Sequence, residues 1–128
     1  MTLPLRIVVA DDEADTREYL VRVLPRFGHE VVGVAADGDA LLALCDAAEP
    51  DLVVTDRVMP GLSGEEAVER LWGRRPVPVV MISAFDRSER LDEVCPETTR
   101  LVHLAKPFGG EDLAAAIEDA SGMTASTG

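Results

Sequence analysis

Short, unbroken runs of β-branched and aliphatic residues recur along this chain, and each is followed by a longer stretch whose apolar residues return with helical spacing. A run that is apolar at every position suits a strand covered on both faces, because successive side chains point to opposite sides of a sheet. The helical stretches supply the cover. Strands are read at residues 6–10, 31–35, 52–55, 77–82 and 101–104, and helices at 15–24, 39–48, 65–72, 88–94 and 113–120. Leu20, Val23 and Leu24 share one face of the first helix, and Leu41, Leu44 and Cys45 one face of the second. Pro25 stands where the first helix should end, and Pro96 cuts the fourth short. Strict alternation of strand and helix specifies a single doubly wound α/β domain around a five-stranded parallel sheet.

Composition excludes several function classes. With 128 residues, 47% of them hydrophobic, the chain fills one domain with a core of its own and leaves no room for two. Its 24 acidic and 12 basic residues give a net charge of −12, which repels phosphate backbones and anionic bilayers, so neither direct nucleic-acid binding nor membrane attachment is expected. No apolar run approaches the about eighteen residues of a membrane span, and the N-terminus lacks a signal-peptide pattern. Cys45 and Cys95 have no metal-ligand spacing and form no disulfide framework, which points to a reducing, cytoplasmic setting. Cys45, Cys95 and Trp72 read as packing. Residues 121–128, rich in Ser, Thr and Gly, read as a flexible tail beyond a domain at 5–120.

In a doubly wound sheet, function gathers at the carboxyl ends of the strands. Those ends carry Asp11, Asp12 and Glu13 after the first strand, Asp56 after the third, Ser83 after the fourth and Lys106 after the fifth. Parallel strands share a direction, so these groups should converge on one edge. Three carboxylates brought together repel one another unless a cation or protons compensate them. Magnesium, which takes one or two carboxylates, a carbonyl and several waters, fits Asp12 and Asp56 as direct ligands, Asp11 through water, and the backbone carbonyl of Val58. A carboxylate so held, flanked by Ser83 and Lys106, can attack a phosphoryl group and form an aspartyl phosphate. Lys106 and the metal would neutralise the equatorial oxygens, and Ser83 would donate a hydrogen bond.

Taken singly, each residue has an ordinary explanation. Asp12 and Glu13 favour a helix's first turn, Asp56 suits a turn before Pro60, and a lone serine or lysine is commonly surface. Together they do not reduce to these. Lys106 also stands out in composition, because the chain uses arginine eleven times and lysine once. A compact ammonium on a flexible stem is not equivalent to a planar fork, so its retention here suggests a geometric demand.

The segments Val8-Val9-Ala10-Asp11-Asp12-Glu13, Pro50-Asp51-Leu52-Val53-Val54-Thr55-Asp56, Met59-Pro60-Gly61, Ile82-Ser83-Ala84 and Lys106-Pro107-Phe108 together resemble the receiver domain of bacterial two-component response regulators. The resemblance spans about residues 5 to 120 and holds the five signature positions in order. It implies a flavodoxin-like sheet of order 2-1-3-4-5 with five helices. Asp56 would be the phosphoacceptor, Asp11 and Asp12 the acid pair that binds Mg2+, Ser83 the switch hydroxyl and Lys106 the phosphate-sensing lysine. Such a domain takes its phosphoryl group from a sensor histidine kinase or a histidine phosphotransfer protein, catalyses its own phosphorylation and dephosphorylation rather than turning over a substrate, and controls an effector protein or an attached output domain through the surface around the fourth and fifth helices and fifth strand. No output domain follows residue 120, so the chain reads either as a single-domain regulator or as a receiver from a longer chain.

Three departures qualify that reading. His103 stands where the family's second switch residue is usually aromatic. Residues 96–100 replace the usual glycine-alanine pair before the fifth strand. Val58 and Phe85 flank the acceptor with apolar groups at positions that tune access of water to the phosphoryl group, which implies slow self-hydrolysis. Two other functions compete. One is a receiver-like scaffold that acts by protein contact without phosphorylation; the other is an aspartate-nucleophile phosphatase, which needs a second acid where Val58 stands.

Overall fold

The structure is a computed structural model that describes residues 4–84 and 89–122. Along the chain run β1 (Arg6–Ala10), α1 (Ala14–Val23), β2 (Glu30–Ala35), α2 (Gly38–Ala48), β3 (Leu52–Asp56), α3 (Gly64–Trp72), β4 (Val79–Ser83), α4 (Glu89–Val94), β5 (Leu101–Ala105) and α5 (Gly110–Ser121). The strands form one parallel sheet in the order β2-β1-β3-β4-β5. Every residue of β3 and β4 is buried, as the unbroken apolar runs imply.

Because strand side chains alternate, the same strands feed two separate cores. Val8, Val53, Val79 and Met81 face one side and pack with Leu41, Cys45, Val68, Leu71 and Leu91 of α2, α3 and α4. Ile7, Val9, Leu52, Val54, Val80 and Ile82 face the other and pack with Leu20, Leu113 and Ile117 of α1 and α5. Among the described residues, no helix is long and apolar enough to cross a membrane.

Element boundaries differ from the sequence reading where backbone chemistry intervenes. β4 begins at Val79 rather than at residue 77. Val77 is buried, but its carbonyl accepts the Trp72 indole N–H at 2.9 Å, and Pro78 has no N–H to give a ladder. Pro25 does not simply stop the first helix. It occupies the start of a 3-10 turn, Leu24–Phe27, where a missing N–H costs nothing, and Gly28 closes the turn at φ +87°. β2 starts one residue earlier than read, β3 and β5 run one residue longer, to Asp56 and Ala105, and α5 opens earlier, at Gly110. α4 is indeed short, and Leu91 is its buried anchor; residue 88, where the sequence suggested a start, lies outside the described residues.

His29 ties β1 to β2 at the end of the sheet remote from the acidic residues. It is 6% exposed, and its Nδ1 accepts the Leu5 amide at 3.1 Å, which requires an unprotonated Nδ1. Burial holds its pKa below the ordinary 6.5, and the charge of Glu118 only partly opposes this. The unfolded chain therefore binds the proton more readily than the folded one, so the stabilisation is complete above about pH 6.5 and is lost as pH falls through the lowered value. Chemical denaturation across this range should show wild-type stability declining towards acid relative to His29→Asn. Parallel curves for the two proteins would refute the assignment.

Candidate functional site

β1, β3, β4 and β5 end side by side, and main-chain hydrogen bonds fix the loops that leave them. Asp11 N donates to Ala35 O at 3.1 Å, Arg57 N to Ile82 O at 2.8 Å, and Lys106 N to Ser83 O at 3.0 Å. The strand tips are thus stitched before any side chain acts. α3 closes the underside: an added Cβ at Gly64 would lie 1.8 Å from Asp56 O and 2.9 Å from Thr55 Oγ1, so only glycine lets this helix start against the β3 tip. Ser63 caps the same helix reciprocally with Glu66.

The convergence expected from topology is present. Carboxylate oxygens of Asp11, Asp12 and Asp56 lie within 4.8 Å of one another. Asp11 is fully buried and Asp56 8% exposed, whereas Asp12 is exposed. Lys106 reaches in from the far side of the sheet, with Nζ 3.2 Å from Asp11 Oδ2, 3.3 Å from Asp56 Oδ2 and 3.0 Å from Glu13 Oε1. Its hydrogens are directed to Glu13 and Asp56. Asp11 Oδ1 accepts the Glu13 amide at 2.9 Å, while Asp11 Oδ2, buried and close to the ammonium, lacks a well-aligned hydrogen bond.

Electrostatics follow from this arrangement. Burial pushes the Asp11 carboxyl above its ordinary pKa; the Glu13 amide opposes this, the charge of Asp56 adds to it, and Lys106 offsets part. Burial by itself would lower the Lys106 pKa, but the hydrogen bond to Glu13 and the charges of Asp11 and Asp56 outweigh it and hold the ammonium firmly protonated. One ammonium thus serves three carboxylates, and a fourth, Asp12, stands at the rim. A buried carboxylate oxygen without a hydrogen bond, beside two other carboxylates, is a donor set that fits a hard divalent cation.

Ser83 ends β4 with its side chain buried, and Arg57 Nε donates to its Oγ at 3.4 Å. Val58 follows β3 with an exposed side chain. His103 lies on β5 with its side chain 14% exposed, and its Nε2 sits 3.1 Å from Asp92 Oδ1 of α4. Phe85 lies outside the described residues. Beside Lys106, a groove of about 560 Å3 opens between α1 and the loop after β5, walled by Thr16, Tyr19 and Phe108. Tyr19 and Phe108 meet edge to face there, their centroids 6.2 Å apart. The peptide joining Lys106 to Pro107 is cis.

The family model of the response regulator receiver domain matches residues 7–118. This chain belongs to that family. The curated relatives include the transcriptional regulatory protein PdtaR of Mycobacterium tuberculosis, 36% identical over 116 residues that cover 91% of this chain and 56% of the relative. A protein-glutamate methylesterase/protein-glutamine glutaminase of Anaeromyxobacter dehalogenans is 46% identical over 69% of this receiver, which spans 25% of that protein. The chain therefore spans about half, or less, of the length of these relatives. Among solved structures, the receiver domain of NarL from Mycobacterium tuberculosis superposes with a TM-score of 0.81 at 29% identity, covering 96% of this chain and all of that one. The receiver of Erythrobacter litoralis PhyR gives 0.76 at 30% identity over 95% and 93% of the two chains.

Three features of this receiver's pocket were not read from sequence. Glu13, placed with the converging strand-end acids but given no task, is the closest partner of Lys106 among the described ion pairs. Arg17 donates to Asp11 O at 2.9 Å and so braces the acid pair from α1. Arg57 pairs with Glu65 and reaches Ser83. Arg57 did carry a signal, since it is a charged residue directly after Asp56 at the tip of β3. The close approach at Gly64 supplies a test of the scaffold. Gly64→Ala should cost about 1–3 kcal/mol or more in denaturant unfolding, because backbone rather than a flexible side chain must yield. A loss no greater than that of an exposed helix substitution would show that α3 does not need this contact.

Proposed function

We propose that this receiver is a phosphorylation-dependent switch in which Asp56 accepts a phosphoryl group. The observation that carries the reading is the Asp11–Asp56–Lys106 constellation, in which two buried carboxylates meet one ammonium at the strand tips and a third carboxylate, Asp12, gathers beside them. Asp56 Oδ forms a bond to phosphorus as the bond from phosphorus to its donor breaks. The donor is the imidazole nitrogen of a phosphohistidine, or the acetate oxygen of acetyl phosphate, and it leaves with the electron pair. Lys106 Nζ, already against Asp56 Oδ2, is placed to meet the charge gathering on the transferred oxygens. Ser83 donates to another of those oxygens. Asp11, Asp12 and Asp56, with the Val58 carbonyl, are the residues that would hold Mg2+, which when bound supplies further neutralisation of the phosphoryl oxygens.

The partner implied is a sensor histidine kinase or a histidine phosphotransfer protein. The groove beside Lys106, between α1 and the loop after β5, offers its phosphohistidine an approach. The aspartyl phosphate adds charge at the β3 tip, and Ser83 and Lys106, joined through main chain, carry the change to β5, where His103 pairs with α4. The altered surface would act on an effector protein or on an output domain in a longer chain. A scaffold that needs no phosphoryl group would use Lys106 as a tie between strand tips, but has no need of the further carboxylate, Asp12, gathered at the same place. A phosphatase would need an acid at Val58, which is an exposed aliphatic residue.

Incubation with Mg2+ and acetyl phosphate followed by intact mass measurement should add about 80 Da to the wild type and nothing to Asp56→Ala. An adduct that survives the substitution, or no adduct at all, would sink the reading. Lys106→Arg keeps the charge but replaces a point donor by a fork, so it should slow acylphosphate formation roughly tenfold or more and abolish the shift of β5 and α5 amide resonances on phosphorylation. Normal resonance shifts in that variant would show that the single lysine carries no special geometry. With apolar Val58 two residues after Asp56 and apolar Phe85 two residues after Ser83 in the sequence, the adduct should decay slowly. A lifetime of seconds would contradict this.

A further inference from the structure

Among the described residues beside Asp56, Arg57 is a charged group that the chemistry above leaves without a task. It follows Asp56 directly and is held from three sides. Its N–H donates to Ile82 O, its carbonyl accepts the Glu65 amide at 3.3 Å, and its Nη1 lies 3.3 Å from Glu65 Oε2. Held this way, its Nε–H faces Ser83 Oγ at 3.4 Å. The Arg57 and Glu65 side chains are 27% and 18% exposed, so this is a half-buried bridge from α3 across the β3 tip to the end of β4. A partly exposed ion pair of this kind adds little to stability. What it does fix is the plane and direction of a guanidinium.

A serine hydroxyl has one proton to donate and two lone pairs to accept with. When Arg57 Nε–H takes one lone pair, the Ser83 proton is turned away from the guanidinium, and the O–H becomes a stronger donor through polarisation. We propose that Arg57, oriented by Glu65, is a positioning residue that sets the Ser83 hydroxyl as a hydrogen-bond donor to the phosphoryl group on Asp56. The proposal rests on Asp56 being the phosphoacceptor. No bond to Arg57 forms or breaks; its role is to direct one proton of Ser83. Glu65 sits in the first turn of α3, where its charge is also favourable to the helix, so the bridge is compatible with a stable scaffold.

The test is a double-mutant cycle on the rate of Asp56 phosphorylation by acetyl phosphate at saturating Mg2+, read by intact mass. Arg57→Met should slow the wild type by about three- to tenfold, since the 3.4 Å contact is longer than a strong charge-assisted hydrogen bond, with the half-saturating Mg2+ concentration unchanged. In a Ser83→Ala background the same substitution should add almost nothing, because the group through which Arg57 acts is gone. Glu65→Ala should reproduce part of the loss. In the resting protein, the Arg57 Nε–H resonance should shift on Ser83→Ala, a readout independent of phosphorylation. A rate unchanged or raised by Arg57→Met, or full effects that multiply in the double variant, would overturn this role while leaving Asp56 as acceptor. Failure of the wild type to form an adduct would overturn both.

Discussion

The contact on which this molecule depends is that of one ammonium with three carboxylates. Lys106 meets Asp11, Asp56 and Glu13 at 3.0–3.3 Å, and two of those acids are almost wholly out of water. Burying a carboxylate without a partner is costly, so neither Asp11 nor Asp56 would be tolerated at these strand tips without the cation. The same contact ties β1, β3 and β5 across the sheet at the end where no further ladder bonds can form. It also leaves the pocket rich in negative charge, since Asp12 adds a further carboxylate beside Asp11 and Asp56. Stability and the proposed chemistry therefore share an interaction: what holds the tips together is also what would make them receptive to a metal ion and to a phosphoryl group.

Much of this was legible in the residues. Unbroken apolar runs located all five strands, although burial on both faces is realised only in the inner strands β1, β3 and β4, and helical spacing located the helices, because both patterns reflect what each side chain must touch. Convergence of Asp11, Asp56, Ser83 and Lys106 followed from strand direction alone, without knowledge of any side-chain conformation. The ends of elements were less legible. Val77 has the composition of a strand residue, yet its carbonyl is taken by the Trp72 indole, and no local pattern announces a partner five residues away.

Pairings between side chains on different elements were the least legible of all. Glu13 and Lys106 are separated by most of the chain, and a glutamate in a helix's first turn has a sufficient local reason to be there. Arg57 and Glu65 lie closer in sequence, but their meeting depends on how tightly α3 seats against β3, which Gly64 decides. Side-chain networks of this kind are set by packing distances of a few tenths of an ångström, below the resolution of any periodicity.

The placement of Asp56 and His103 within the sheet has a mechanical consequence. Asp56 sits on the central strand, where every residue is buried and both edges are hydrogen-bonded. His103 sits on an edge strand with one ladder, three of whose five residues are half-buried. Opening the centre requires nearly global unfolding, whereas the rim can deform at much smaller cost. The sheet is thus stiff at its middle and compliant at its border, so under the proposed switch strain introduced at Asp56 would be released at the border, which would become the part of the fold that other molecules can read.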